Sequence, residues 1–94
     1  MNSIQQQAIL ARDMIDMIRD YQDDADVLEY LESFAFSIAR LMESGRAVNW
    51  DNIAGICDQR YYSLKQGDPV PLNVELLDEC ELQIQPYLSA KTND

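Results

Sequence analysis

The chain has 94 residues, 47% of them apolar and 26% charged, enough for one small globular domain. Its 17 Asp and Glu outnumber 7 Lys and Arg, and a net charge of −10 excludes nucleic-acid binding by phosphate neutralisation. Histidine, the commonest general base and transition-metal ligand, is absent, and with only 3 Gly no phosphate-cradling loop can be assembled.

Apolar positions recur with helical spacing nearly throughout, and no segment alternates as a strand would. Ser3 and Gln6 form a capping box that opens a helix over 3–21, with Ile4, Ala8, Ala11, Ile15 and Ile18 facing inward and Leu10, Met14, Met17 and Tyr21 widening the stripe. Asp26 and Glu29 form a second box and predict a helix over 27–44. Its stripe is Leu28, Leu31, Ala35, Ile38 and Met42, broadened by Val27, Phe34 and Leu41, with Gly45 as its C-cap. Asn49 caps a third helix over 50–66, with Trp50, Ile53, Cys57, Tyr61 and Leu64 on one face and Gly67 ending it. The prolines of 68–71 predict an extended strap. Asn73 then caps a fourth helix over 74–85 carrying Val74, Leu77, Cys80 (or Glu81) and Ile84, which Pro86 breaks or kinks. Four amphipathic segments on short loops predict an all-α, small antiparallel four-helix bundle-like domain spanning 1–94 with a frayed C-terminus, and Leu31, Ile38, Ile53 and Leu77 in its core.

The N-terminal segment lacks the basic start and apolar block of a signal peptide, and no apolar run is long enough to cross a membrane. Cys57 and Cys80 lack CxxC spacing and read as buried free thiols, with a single disulfide as the alternative; nothing else suggests an oxidising compartment, so the chain is expected to be cytoplasmic.

Without histidine, no serine, threonine or cysteine nucleophile has its usual activator. The carboxylates fall mostly at water-facing positions rather than in apolar pockets, so no enzymatic activity is expected. Asp23, Asp24 and Asp26 lack the glycine and terminal glutamate of a calcium loop, and Glu29-x-x-Glu32 lacks the histidine of a di-iron site, so no metal or cofactor is expected. A helix-turn-helix regulator is a weak alternative. It rests on Asn49, Asp51, Asn52, Gln59 and Arg60 pointing outward from the third helix, and is opposed by Asp51, Asp58 and the overall charge.

The distribution of charge is the informative feature. Residues 13–32 hold eight acids against Arg19, and residues 75–81 hold four more with no base, while the middle of the chain is balanced. Helix-start positions explain part of this, because negative charge there is favoured by the dipole. They leave Asp16, Asp20 and Asp23, which approach the C-terminal end of the first helix as mutually repelling neighbours. Changing these three to Asn is therefore expected to leave folding intact or slightly improved.

Asp13, Asp16, Asp20, Asp23, Asp24, Asp26, Glu29 and Glu32 are the candidate partner-binding residues. Their expected target is a basic protein surface, such as the nucleic-acid-binding groove of a host protein, with no direct contact to nucleic acid or membrane. The alternative is a helical subunit or assembly factor docking through an apolar stripe, with Tyr30, Tyr61 and Tyr62 as interface candidates. In size, charge and helicity the chain is similar to small acidic inhibitors, among them phage anti-restriction and anti-CRISPR proteins and bacteriocin immunity proteins. That likeness implies a DNA-mimicking inhibitor, but no motif is shared and no residue role carries over.

Overall fold

The computed structural model describes residues 3–42, 47–67 and 70–88, and every structural statement below concerns these residues. Four helices follow in order: α1 (Ser3–Asp20), α2 (Ala25–Leu41), α3 (Trp50–Gln66) and α4 (Val74–Leu88), with no strand among the described residues.

Several boundaries are set by side-chain caps where the sequence places them. Asn49 accepts from Asn52 N–H at 3.1 Å, and Asn73 accepts from Leu76 N–H at 3.2 Å. Gly67 closes α3 at φ 71, a left-handed conformation that glycine adopts without Cβ strain.

Three boundaries differ from expectation. α2 is capped by Asp24, whose carboxylate accepts from Val27 N–H at 3.2 Å, rather than by Asp26. The turn bond from Asp24 N–H to the Tyr21 carbonyl already positions Asp24 outside the helix, so Asp26 falls within the first turn. At its other end α2 stops at Leu41 instead of reaching 44, because Ala39 is its last buried position and packing no longer extends it. The expected C-cap at Gly45 lies outside the described residues, as does the Ser3 side chain of the first capping box. Finally, α4 runs through Pro86 to Leu88. Proline deprives the Leu82 carbonyl of its helical donor, but Leu82 is strongly exposed and water can take that place.

The core gathers Ala8, Ala11, Ile15 and Ile18 from α1, Leu28, Leu31 and Ala35 from α2, Trp50, Ile53 and Cys57 from α3, and Leu77, Cys80 and Ile84 from α4. Ala39, Ala54, Ile56 and Leu72 join it without having been singled out by periodicity. Ile38 packs only partly against this core, and Ile4, Phe34, Leu41 and Val74 are exposed rather than inward-facing. Both cysteines are buried and free.

Packing is uneven. α2 lies chiefly along α3 and α1 chiefly along α4, whereas α1 and α2, although joined by a four-residue turn, touch only sparsely. They therefore do not form the close helical hairpin that the acidic run implied.

Candidate functional site

Arg19 organises the first acidic segment. Its Nη2 donates to Asp78 Oδ1 and to Glu81 Oε1, both at 2.8 Å, and its Nη1 stands 3.8 Å from Asp16 Oδ1. This half-buried guanidinium ties the C-terminal part of α1 to α4, and so joins the two acidic segments that the chain keeps far apart. The hydrogen bond to Glu81 is the largest influence holding the Arg19 pKa above its ordinary value.

A second arginine fixes the turn. Arg60 of α3, its side chain only 12% exposed, donates through Nη2 to Asp23 Oδ1 at 2.7 Å, through Nε to the Gln22 carbonyl at 2.8 Å and through Nη1 to the Val70 carbonyl at 2.7 Å. Ser63 Oγ donates to the same Val70 carbonyl at 3.0 Å. Arg60 therefore clamps the α1–α2 turn and the strap before α4. This overturns its expected place on an outward recognition face, and Asn49 is likewise engaged as a cap.

The eight candidate residues consequently divide. Asp13, Asp16 and Asp20 are exposed along α1, with Asp13 touching neighbouring Arg12 at 3.3 Å and Asp20 in no ion pair among the described residues. Asp23 is neutralised by Arg60, and Asp24 is spent as a cap. Asp16 and Asp23 thus have cationic partners, which corrects the reading of them as uncompensated repulsive neighbours.

Asp26, Glu29 and Glu32 belong to the α2–α3 side. Glu29 and Tyr61 share a hydrogen bond, and partial burial followed by that carboxylate raises the phenol's pKa. Glu32 is half-buried and hydrogen-bonds Asp58 of α3. Its pKa is pushed up to about 7, first by desolvation, then by Asp58 and by Glu29. At neutral pH it carries only part of a charge, which weakens its standing as an anionic contact. Burial, followed by the charge of Glu32 and then of Asp58, pushes the adjacent Cys57 thiol up to about 12, far from the reactive thiolate range.

The acidic surface thus draws on more than the 13–32 run. Asp78 and Glu81 meet α1 through Arg19, and Glu75 and Glu79 are exposed on the same helix. The sequence signals this as a second acid-rich segment, but its proximity to α1 depends on tertiary packing. No group of three or more acids and thiols among the described residues is arranged to hold a metal ion, and no helix there is long and apolar enough to cross a membrane. No protein-family model, curated protein or solved structure matches the chain.

Proposed function

We propose that the protein is a small, non-catalytic helical binding module whose acidic end engages a basic site on a partner protein. The observation that carries this reading is the Arg19 bridge, which joins Asp16 of α1 to Asp78 and Glu81 of α4 and so merges two acid-rich segments into one surface. Asp20, Glu75 and Glu79 are exposed on the helices that form it. Such a surface speeds encounter with a basic partner more than it tightens the final complex.

Inhibition of a nucleic-acid-binding protein is a narrower form of the same proposal. The run over 13–32 carries about one net charge per 4 Å at helical rise, near the 3.4 Å of a DNA strand. Arg60 pairing at Asp23 and the raised Glu32 pKa lower the density actually available, so the support comes from the merged surface rather than from linear spacing.

The test compares capture from lysate by wild type and by a variant carrying Asp20→Asn, Glu75→Gln and Glu79→Gln. Basic proteins retained by wild type at low salt and lost both from the variant and at moderate salt are the expected outcome. Retention of the same proteins by both, at both salts, refutes the proposal. The apolar-docking alternative draws support from Phe34 and Leu41, which are exposed on α2, and predicts capture insensitive to salt.

A further inference from the structure

α1 and α2 touch only sparsely, and at one end of the bundle the space between them is a cavity of about 280 Å³. Leu10 of α1, Ile38 and Leu41 of α2 and the following Met42 wall it, as does Trp50, the first residue of α3. The volume is about twice the roughly 150 Å³ that encloses benzene. No charged side chain lines it among the described residues.

Trp50 is fully buried, and its indole N–H has no acceptor among the described residues. Leaving a buried donor unpaired costs more than the bond it would make is worth, so such groups are uncommon. Gln7 is a buried amide in the same wall, but its Oε1 accepts from Ala47 N–H at 3.2 Å instead. The aliphatic wall and the unpaired donor are independent observations, and each sets one requirement on an occupant. The wall asks for apolar bulk without charge, since an ion there would lose its water and meet no counter-ion. The indole asks for an acceptor.

We propose that the cavity binds a small neutral carbonyl compound, its apolar body packed on Leu10, Ile38 and Leu41 and its oxygen accepting from the Trp50 indole N–H. A carbonyl oxygen only accepts. A hydroxyl would bring a donor as well, for which those three aliphatic side chains offer nothing. The indole nitrogen is out of water's reach, so entry requires a wall side chain to turn aside. Met42, half-buried and unbranched, is the adaptable one. The site shares no residue with the acidic surface, so this inference does not rest on the function proposed above.

The test is an NMR titration of the isotope-labelled full chain with acetophenone, followed at the indole N–H of its single tryptophan. Isopropylbenzene, of equal size without the oxygen, and benzoate, of equal size with a charge, are the controls. Acetophenone should saturate and draw the indole proton downfield as the hydrogen bond forms. Isopropylbenzene should enter without that downfield shift, and benzoate should not bind. Trp50→Phe keeps a ring but removes the donor. It should weaken acetophenone about fivefold and leave isopropylbenzene unchanged. Ile38→Phe, at a half-buried position, should keep the fold and exclude both probes by narrowing the cavity, whether or not Trp50→Phe folds.

No saturable shift up to the solubility of acetophenone overturns the proposal. So does equal weakening of both uncharged probes by Trp50→Phe, benzoate binding as tight as that of acetophenone, or binding that ignores Ile38→Phe. An indole N–H held by a bound water that acetophenone does not displace assigns the donor to solvent and overturns it too. An indole signal that moves with protein concentration alone does the same, because it places a second copy over the cavity.

Discussion

Arg19 and Glu81 are 62 positions apart in the chain, yet their side chains meet at 2.8 Å across the α1–α4 seam. Asp78 shares the same guanidinium nitrogen, so one cation compensates acids on two helices. Replacing Arg19 with Met keeps the aliphatic stem but leaves those carboxylates facing one another. The expected loss is about 1–2 kcal/mol, between the values for exposed and buried pairs. Arg19→Lys should recover part of it. Urea unfolding of the three proteins measures this, and equal midpoints would show that the bridge contributes nothing.

Asp20 and Asp23 should respond differently to the same change. Asp20→Asn removes an anion from the C-terminal end of α1, where the dipole disfavours it, and should be neutral or slightly stabilising. Asp23→Asn removes the charge paired with Arg60 and should cost about 0.5–1 kcal/mol, since Asp23 is itself exposed. The triple change at Asp16, Asp20 and Asp23, expected from sequence to leave folding intact or slightly improved, should therefore destabilise, chiefly through Asp23, which meets Arg60 at 2.7 Å where Asp16 stands 3.8 Å from Arg19. Thermal melts of the single variants separate the two contributions.

Leu31 and Ile38 looked equivalent in the periodicity, but only Leu31 is fully buried. Leu31→Ala should cost about 2–5 kcal/mol through lost transfer free energy and the cavity left behind. Ile38→Ala, beside an existing cavity, should cost about 1–2 kcal/mol. Equal costs in urea titrations would show that the partial exposure of Ile38 has no energetic consequence.

The helices were legible because burial stripes repeat along the chain and Asn49, Asn73 and Gly67 are local signals. Asp24 and Asp26 are both plausible caps in sequence, and only the turn bond to Tyr21 decides between them. Phe34 and Leu41 fall on the broad apolar face that a one-dimensional reading points inward, yet both are exposed. Asymmetric packing, with α1 on α4 and α2 on α3, is what leaves them uncovered. The acidic site was half legible. Its charges are countable from sequence, but the partners that consume some of them are not. Arg60 reaches Asp23 from 37 positions away, and Asp58 reaches Glu32 across the α2–α3 seam.

That last contact makes stability depend on pH. Glu32 of α2 faces Asp58 of α3 and Glu29 of its own helix, with the buried Cys57 thiol close by. Desolvation and the two carboxylates raise its pKa from 4.5 to about 7 in the folded protein. Between these values the folded state holds a proton that the unfolded state has released, so stability falls as pH rises through this window. The contribution is fully present below pH 4.5 and lost as pH passes about 7. Glu32→Gln keeps a donor toward Asp58 but cannot ionise. The wild-type thermal midpoint should therefore fall between pH 5 and pH 8, the variant's should fall less, and the variant should be the more stable protein at pH 8. Asp58→Asn should flatten the profile as well, because it removes the neighbouring charge that opposes Glu32 ionisation. If wild type and Glu32→Gln lose the same number of degrees over that range, the seam pair does not titrate, and the pH response belongs to the exposed acids.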